Sequence, residues 1–285
     1  MIFRKTFGKA LLAVAFSYCA LTASAQNSYV KVGSTYNMGL GSSVAAYKTS
    51  GTVRQDNTAS VTVTQQKVNL AGGWLFQVAG GHFFTENLGA ELAFGYLPGK
   101  AHKTESKLYY SGIGVTEGLD KTYDARLLLL QPALVVRMNP QTITPYGRFG
   151  LILAKADLKE TVKNSFWTNS LEVVHEYSGG VGFGFQGGFG VDFVANSQIT
   201  LFSEITLNSL SWAPKKREMV AYLEDGASKL DNIPAGDRET LYTDEFTLSY
   251  DKKGELIKTN GPTHDIKGIL PMNTVGLGLG LKYTF

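Results

Sequence analysis

The chain has 285 residues, of which 44% are apolar, 18% charged and 12% aromatic, with 32 glycines and a formal charge of +3. This balance excludes a disordered, low-complexity polypeptide. Arg4, Lys5 and Lys9 supply the excess charge. Without them 24 basic residues face 24 acidic ones, so the basic face a nucleic-acid partner needs is lacking.

Met1 to Ala25 reads as a secretory signal peptide. It has a basic start, an apolar stretch from Ala10 to Leu21, and the small residues Ala23-Ser24-Ala25 before an expected cleavage at Gln26. The single cysteine, Cys19, lies inside this leader. The mature segment 26–285 is therefore expected to form no disulfide and no thiolate metal site.

The remainder is dominated by two-residue periods, the mark of strands with two unlike faces. Eight strands are predicted. The first is Tyr29–Leu40, with Val30, Val32, Tyr36, Met38 and Leu40 on its apolar face. The second is Val68–Phe83, with Val68, Leu70, Trp74, Phe76 and Val78. Leu88–Tyr96 is the third, and Tyr123–Met138 the fourth. Ile143–Ala154 is the fifth, with Phe149, Leu151 and Leu153 opposed to Tyr146, Arg148 and Gly150. Gly180–Val194 alternates phenylalanine with glycine; Ile199–Leu210 follows, and Asn273–Phe285 ends the chain. Leu127, Leu129 and Phe202 fall on the wrong faces of the fourth and seventh strands.

The connections alternate in length. Phe84–Asn87, Asn139–Thr142 and Ala195–Ser197 are short and built from turn-forming residues. Gly41–Lys67, Leu97–Thr122, Lys155–Gly179 and Ser211–Met272 are long. Placing every long loop at one end suits a transmembrane barrel with short periplasmic turns and long outer loops. In that geometry the apolar faces meet lipid and the glycine-rich faces turn inward. The polar faces then carry Lys31, Glu91, Arg137, Arg148, Asp192, Glu204 and Lys282, expected as a lumen charge network. Tyr29, Phe83, Tyr96, Tyr146, Phe193, Trp212, Tyr283 and Phe285 sit near strand ends, where outward-facing aromatics form interfacial girdles.

These features resemble the small outer membrane β-barrel proteins of Gram-negative bacteria, the OmpA-like, OmpW-like and opacity-type group. The resemblance rests on the leader, the alternating strands and the ending Leu279-Gly280-Leu281-Lys282-Tyr283-Thr284-Phe285. It rests also on Asn87–Tyr96 and on Thr144–Gly150. It implies an all-β, eight-stranded antiparallel up-and-down transmembrane barrel in the outer membrane. It also implies that Leu281, Tyr283 and Phe285 form the signal read by the barrel-assembly machinery. Outer membrane lipids and lipopolysaccharide are the implied surroundings. No peptidoglycan-binding domain is expected after the last strand.

No catalytic constellation emerges. His175 and Ser178 are neighbours in a long loop, and His264-Asp265 is an isolated pair. Asp251 and Glu255 lack the dense ligand series of a cation site. Phe246–Thr259 reads as a hairpin turning at Asp251-Lys252-Lys253-Gly254. The expectation is a non-enzymatic protein without metal or cofactor. Its lumen is filled by side chains and its outer loops contact a partner; the alternative is a narrow channel for small solutes.

Overall fold

The computed structural model describes residues 27–56, 58–166, 169–247 and 261–285. The expected leader, and the turn of the expected hairpin at Asp251–Gly254, lie outside the described residues.

The fold is all-β, with one helical turn at Ala235–Arg238 and a 3₁₀ turn at Leu230–Asn232 among the described residues. Chain order begins β1 (Ser28–Gly39), β2 (Val44–Val53), β3 (Ala59–Val68), β4 (Gly73–Phe83), β5 (Leu88–Leu97) and β6 (His102–Tyr110). It continues with β7 (Val115–Arg137), β8 (Ile143–Phe166), β9 (Asn169–Ser178), β10 (Gly182–Val194), β11 (Ile199–Trp212) and β12 (Lys216–Glu224). β13 (Ala227–Ser228), β14 (Glu239–Thr243), β15 (Thr263–Ile266), β16 (Leu270–Pro271) and β17 (Thr274–Thr284) complete it.

Among the described residues seventeen strands thus stand where the sequence predicts eight. The additional ones lie in the four long connections, which fold back as hairpins and strand extensions instead of leaving the sheet. Eight strands form a cycle of antiparallel pairings: β1 with β4, β4 with β5, β5 with β7, and β7 with β8. The cycle continues from β8 to β10, β10 to β11 and β11 to β17, and β17 returns to β1. This closure leaves the eight strands no free edge.

Short turns join the strands at one end of the ring. Asn196 Oδ1 accepts the N–H groups of Gln198 and Ile199 at 2.9 and 2.8 Å. Thr85 Oγ1 accepts those of Asn87 and Leu88 at 3.3 and 3.0 Å. At the other end β7 and β8 run on to 23 and 24 residues. Their extensions carry β6 and β9 respectively. β2 and β3 join beyond β6, while β12, β14 and β15 join beyond β9.

Outside the ring, the alternating apolar residues are exposed, including Val32, Phe76, Leu134, Phe149, Phe189, Ile205 and Leu279. Two predicted outward residues are corrections. Val68 ends β3 and Leu70 lies in the following turn, and both are 2% exposed and packed in the core. Ala71 N–H donates to Asn69 Oδ1, and Gly73 then takes φ 125°, a conformation that suits glycine and precedes the outward Trp74. The alternation that reads as one long strand from Val68 is therefore interrupted. The aromatics also divide. Tyr96, Phe193, Tyr283 and Phe285 point outward, whereas Tyr29, Phe83, Tyr146 and Trp212 are buried.

Candidate functional site

The interior of the ring is layered along the strands. On β8 the inward residues run Tyr146, Arg148, Gly150, Ile152, Ala154, Ala156 and Leu158. Near the short turns the layer is charged. Next to it lie amides and hydroxyls, and beyond these the layer is apolar.

The charged layer joins six of the seven predicted network residues. Arg148 Nη1 donates to Glu91 Oε1 at 2.9 Å, and Nη2 lies 2.8 Å from Glu204 Oε1. Lys31 Nζ stands 3.6 Å from Glu91 and 3.4 Å from Glu204. The four side chains are between 2% and 7% exposed, so the pairs are desolvated. Two tyrosines fill the remaining acceptor positions. Tyr29 OH donates to Glu91 Oε2 and Tyr146 OH to Glu204 Oε2, each at 2.9 Å. Beside them Lys282 Nζ donates to both Asp192 oxygens at 2.7 and 2.8 Å and lies 4.1 Å from the Tyr146 ring centre. Three cations thus meet three carboxylates, and every charge has a partner.

Arg137 does not join them. It lies at the end of β7, 3.7 Å over the Phe83 ring, with Nε donating to the Glu86 carbonyl at 2.8 Å. The sequence places it on the polar face correctly, but at the level of the turn instead of the cluster. Tyr29, Tyr146 and Phe202 are the participants that sequence reasoning missed. Phe202 breaks the alternation of its strand because its ring lies inside, 4.4 Å from Lys31 Nζ.

Glycines give these side chains room. A Cβ on Gly190 would come within 2.6 Å of the Tyr146 ring, and one on Gly33 within 2.7 Å of Phe202. Even so the free space beside the cluster is only about 10 Å³, about one water molecule. The middle layer holds Gln77 donating to Gln131, together with Asn37, Gln186 and Thr206. Gln186 and the oxygens Asn37 Oδ1 and Thr206 Oγ1 have no protein partner there.

The apolar layer was not predicted. Leu75, Leu97, Leu127, Leu129, Ile152, Leu158, Leu210, Trp212 and Met272 pack as one buried cluster with the turn residues Leu70 and Ala71. Leu127 and Leu129, misplaced for a strand with a polar inner face, are inner residues of this layer. Trp212 Nε1–H donates to the Gly179 carbonyl at 2.9 Å, which satisfies its one polar group.

The other sequence candidates are scattered. His175 faces Glu160 across β8 and β9, while the Ser178 carbonyl accepts the Lys215 N–H at 3.0 Å. His264 and Asp265 are exposed on β15. Asp251 and Glu255 lie outside the described residues. Leu281, Tyr283 and Phe285 all face outward on and just beyond β17, the last two rings meeting edge to face at 5.3 Å. Among the described residues no three His, Cys, Asp or Glu gather as a metal site.

Comparison with known proteins adds the lineage. No curated protein matches the chain. Among solved structures it is similar to the outer membrane protein OprG of Pseudomonas aeruginosa, at 9% identity over 91% of this chain and 96% of that one, with a TM-score of 0.39. It is also similar to Ail, the attachment invasion locus protein of Yersinia pestis, at 9% identity, covering 90% and 96% with a TM-score of 0.27. CarO2 of Acinetobacter baumannii matches at 12% identity, covering 90% and 99% with a TM-score of 0.27. The family model of the outer membrane protein beta-barrel domain matches residues 10–251. With that match running over more than half of its length, the chain belongs to the outer membrane protein beta-barrel domain family.

Proposed function

We propose that the eight-strand ring is a membrane-spanning barrel with a closed lumen, and that the protein acts through the surface it presents beyond the membrane. The observation that carries this reading is the filled interior. An apolar layer containing Leu127, Ile152, Trp212 and Met272, each 1% exposed, lies in series with a charged layer whose members are all paired. Eight strands leave an interior just wide enough for such filling.

The outer face supports the membrane placement. About 9–11 residues per strand cross a bilayer, and on β8 the outward residues Phe149, Leu151 and Leu153 give way to Lys155, Asp157 and Lys159. Short turns then lie in the periplasm, and β2, β3, β6, β9 and β12 to β15 stand outside the cell. Lys155 is the first exposed cation beyond the apolar belt on β8, at the height where lipopolysaccharide phosphates would meet it. Outward Leu281, Tyr283 and Phe285 fit the role of assembly signal before the last strand pairs with β1. The protein is read as a non-enzymatic surface protein, exported through cleavage of its leader, with one barrel domain over 26–285.

The test is single-channel recording on the refolded chain in a planar bilayer. Silence, after a heat-shift gel confirms the folded barrel, is the expected result. Steady conductance would overturn the closed lumen and select the second reading, a narrow channel for small solutes. What favours that reading is the middle layer, where Asn37, Gln186 and Thr206 offer unpaired polar atoms.

A further inference from the structure

Above the apolar layer the extended strands, with Pro214, Gly268 and Leu270, line an open cup of about 250 Å³. Its floor and walls include Leu158, Leu270 and Ile266, with three phenols, Tyr123, Tyr177 and Tyr242. Glu160 is the only charged residue among those lining it. Glu160 is the next inward position on β8 after Leu158, so strand geometry alone sets the carboxylate directly above the apolar floor.

Neutral groups orient that carboxylate. Tyr177 OH donates to Glu160 Oε2 at 2.7 Å, and the Tyr177 and Tyr242 rings stack with centres 6.4 Å apart. Burial pushes the Tyr123 phenol up to about 12, and the adjacent Glu160 charge adds to this, so the phenol stays protonated beside the carboxylate. Among the described residues Glu160 makes no ion pair. The nearby cation, Arg217, stands on β12 and donates instead to Thr240 Oγ1 at 3.0 Å. His175, opposite Glu160, is held below its ordinary value first by burial and then by Arg217.

We infer that this cup is a binding site for a small organic cation, one aromatic or aliphatic body carrying an ammonium group. The apolar floor takes the body, the tyrosine rings attract the cation, and Glu160 supplies the countercharge. The size agrees. A dry cavity of ~150 Å³ holds benzene, so about 250 Å³ holds one ring with its ammonium substituent. The lumen need not be closed for this site to exist, so conductance and cation binding are answered by separate measurements.

The experiment is calorimetric titration of the full refolded chain in a neutral maltoside detergent. The probes are benzyltrimethylammonium, benzyl alcohol and benzenesulfonate. The cation is expected to bind saturably, while the alcohol and the anion bind weakly or not at all. Glu160→Gln should weaken the cation about tenfold, the loss of one charge-assisted contact. Tyr242→Leu, which leaves both phenol partners of Glu160 in place, should weaken it several-fold. Heat-shift gels and far-UV dichroism report whether each variant folds. Failure of the parent to bind the cation overturns the inference. So does equal binding of the alcohol, or unchanged affinity in folded Glu160→Gln.

Discussion

Arg148→Met removes the centre of the charged layer. The guanidinium bridges Glu91 at 2.9 Å and Glu204 at 2.8 Å, and its side chain is 3% exposed. Its loss leaves Glu91 and Glu204 to share Lys31, at 3.6 and 3.4 Å, with a net charge of −1 in the cluster. Two charge-assisted bonds vanish, each of about 1.5–3 kcal/mol. Lys31 and the tyrosine hydroxyls compensate in part, so the expected destabilisation is about 3–5 kcal/mol. Glu204→Gln alone should also destabilise, since it leaves an excess cation. The double variant Arg148→Met with Glu204→Gln restores neutrality around Lys31 and Glu91. It should be more stable than the sum of the single losses by about 1–3 kcal/mol. Urea unfolding in lipid vesicles, followed by tryptophan fluorescence and by gel mobility, measures all three. An Arg148→Met barrel within about 0.5 kcal/mol of the parent, or a strictly additive cycle, would refute the network as a coupled unit.

Three further outcomes follow from other parts of the barrel. Gly190→Ala puts a Cβ 2.6 Å from the Tyr146 ring and 2.7 Å from the Ser203 carbonyl oxygen, and should cost about 1–3 kcal/mol in the same unfolding assay. Gly187→Ala meets nothing within 4 Å and should be neutral or slightly stabilising, so equal losses at both glycines would contradict the packing argument. Phe149→Arg, 64% exposed midway along the apolar belt of β8, should cost about 2–4 kcal/mol in lipid, whereas Asp157→Asn beyond the belt should change stability by less than about 0.5 kcal/mol. His102 and His175 both titrate below their ordinary value, chiefly through burial and then through Lys100 and Arg217. Above a pH of about 6.5 both are neutral in either state; below it the unfolded chain takes up protons that the folded one resists, so stability falls as pH falls. Amide exchange in β6 and β9 should therefore quicken on acidification, and His102→Gln with His175→Gln should flatten the change.

Much of the ring was legible because an exposed apolar outer face imposes a strict period. Phe183, Phe185, Phe189 and Phe193 alternate with glycines, and the structure exposes the rings and pairs the strand on both sides. The charged residues were legible for the same reason, since an inward Glu91 or Arg148 interrupts nothing on the outer face. Their partners were less so. Which cation meets which carboxylate depends on the stagger of the ring, and Arg137 shares the phase of the inner face while standing one layer too low. The strands in the long connections were hidden because β2, β3 and β6 carry mixed polar sequences such as Thr62, Thr64 and Gln66, with no single lipid-facing stripe.

The apolar layer was hidden for a different reason, which lies in how β7 and β8 change environment along their length. In the proposed placement β8 is a membrane strand within the belt, with Phe149 and Leu151 outside and Tyr146 and Arg148 inside. Farther on the faces are reversed, with Lys155, Asp157 and Lys159 outside and Ala154, Ala156 and Leu158 inside. That inversion is what the proposed placement requires, because apolar side chains beyond lipid gain only by turning inward. At the crossing both faces must be apolar. The run Leu127-Leu128-Leu129-Leu130 on β7 marks that level, with Leu127 and Leu129 buried and Leu128 exposed, as does Leu151-Ile152-Leu153 on β8, with only Ile152 buried. Runs that spoil the two-residue period are thus the sequence mark of the level where the barrel begins to pack an apolar core of its own, which the proposed placement sets at the edge of the bilayer. The cup around Glu160 sits directly beyond that core, at the first inward position of β8 after Leu158.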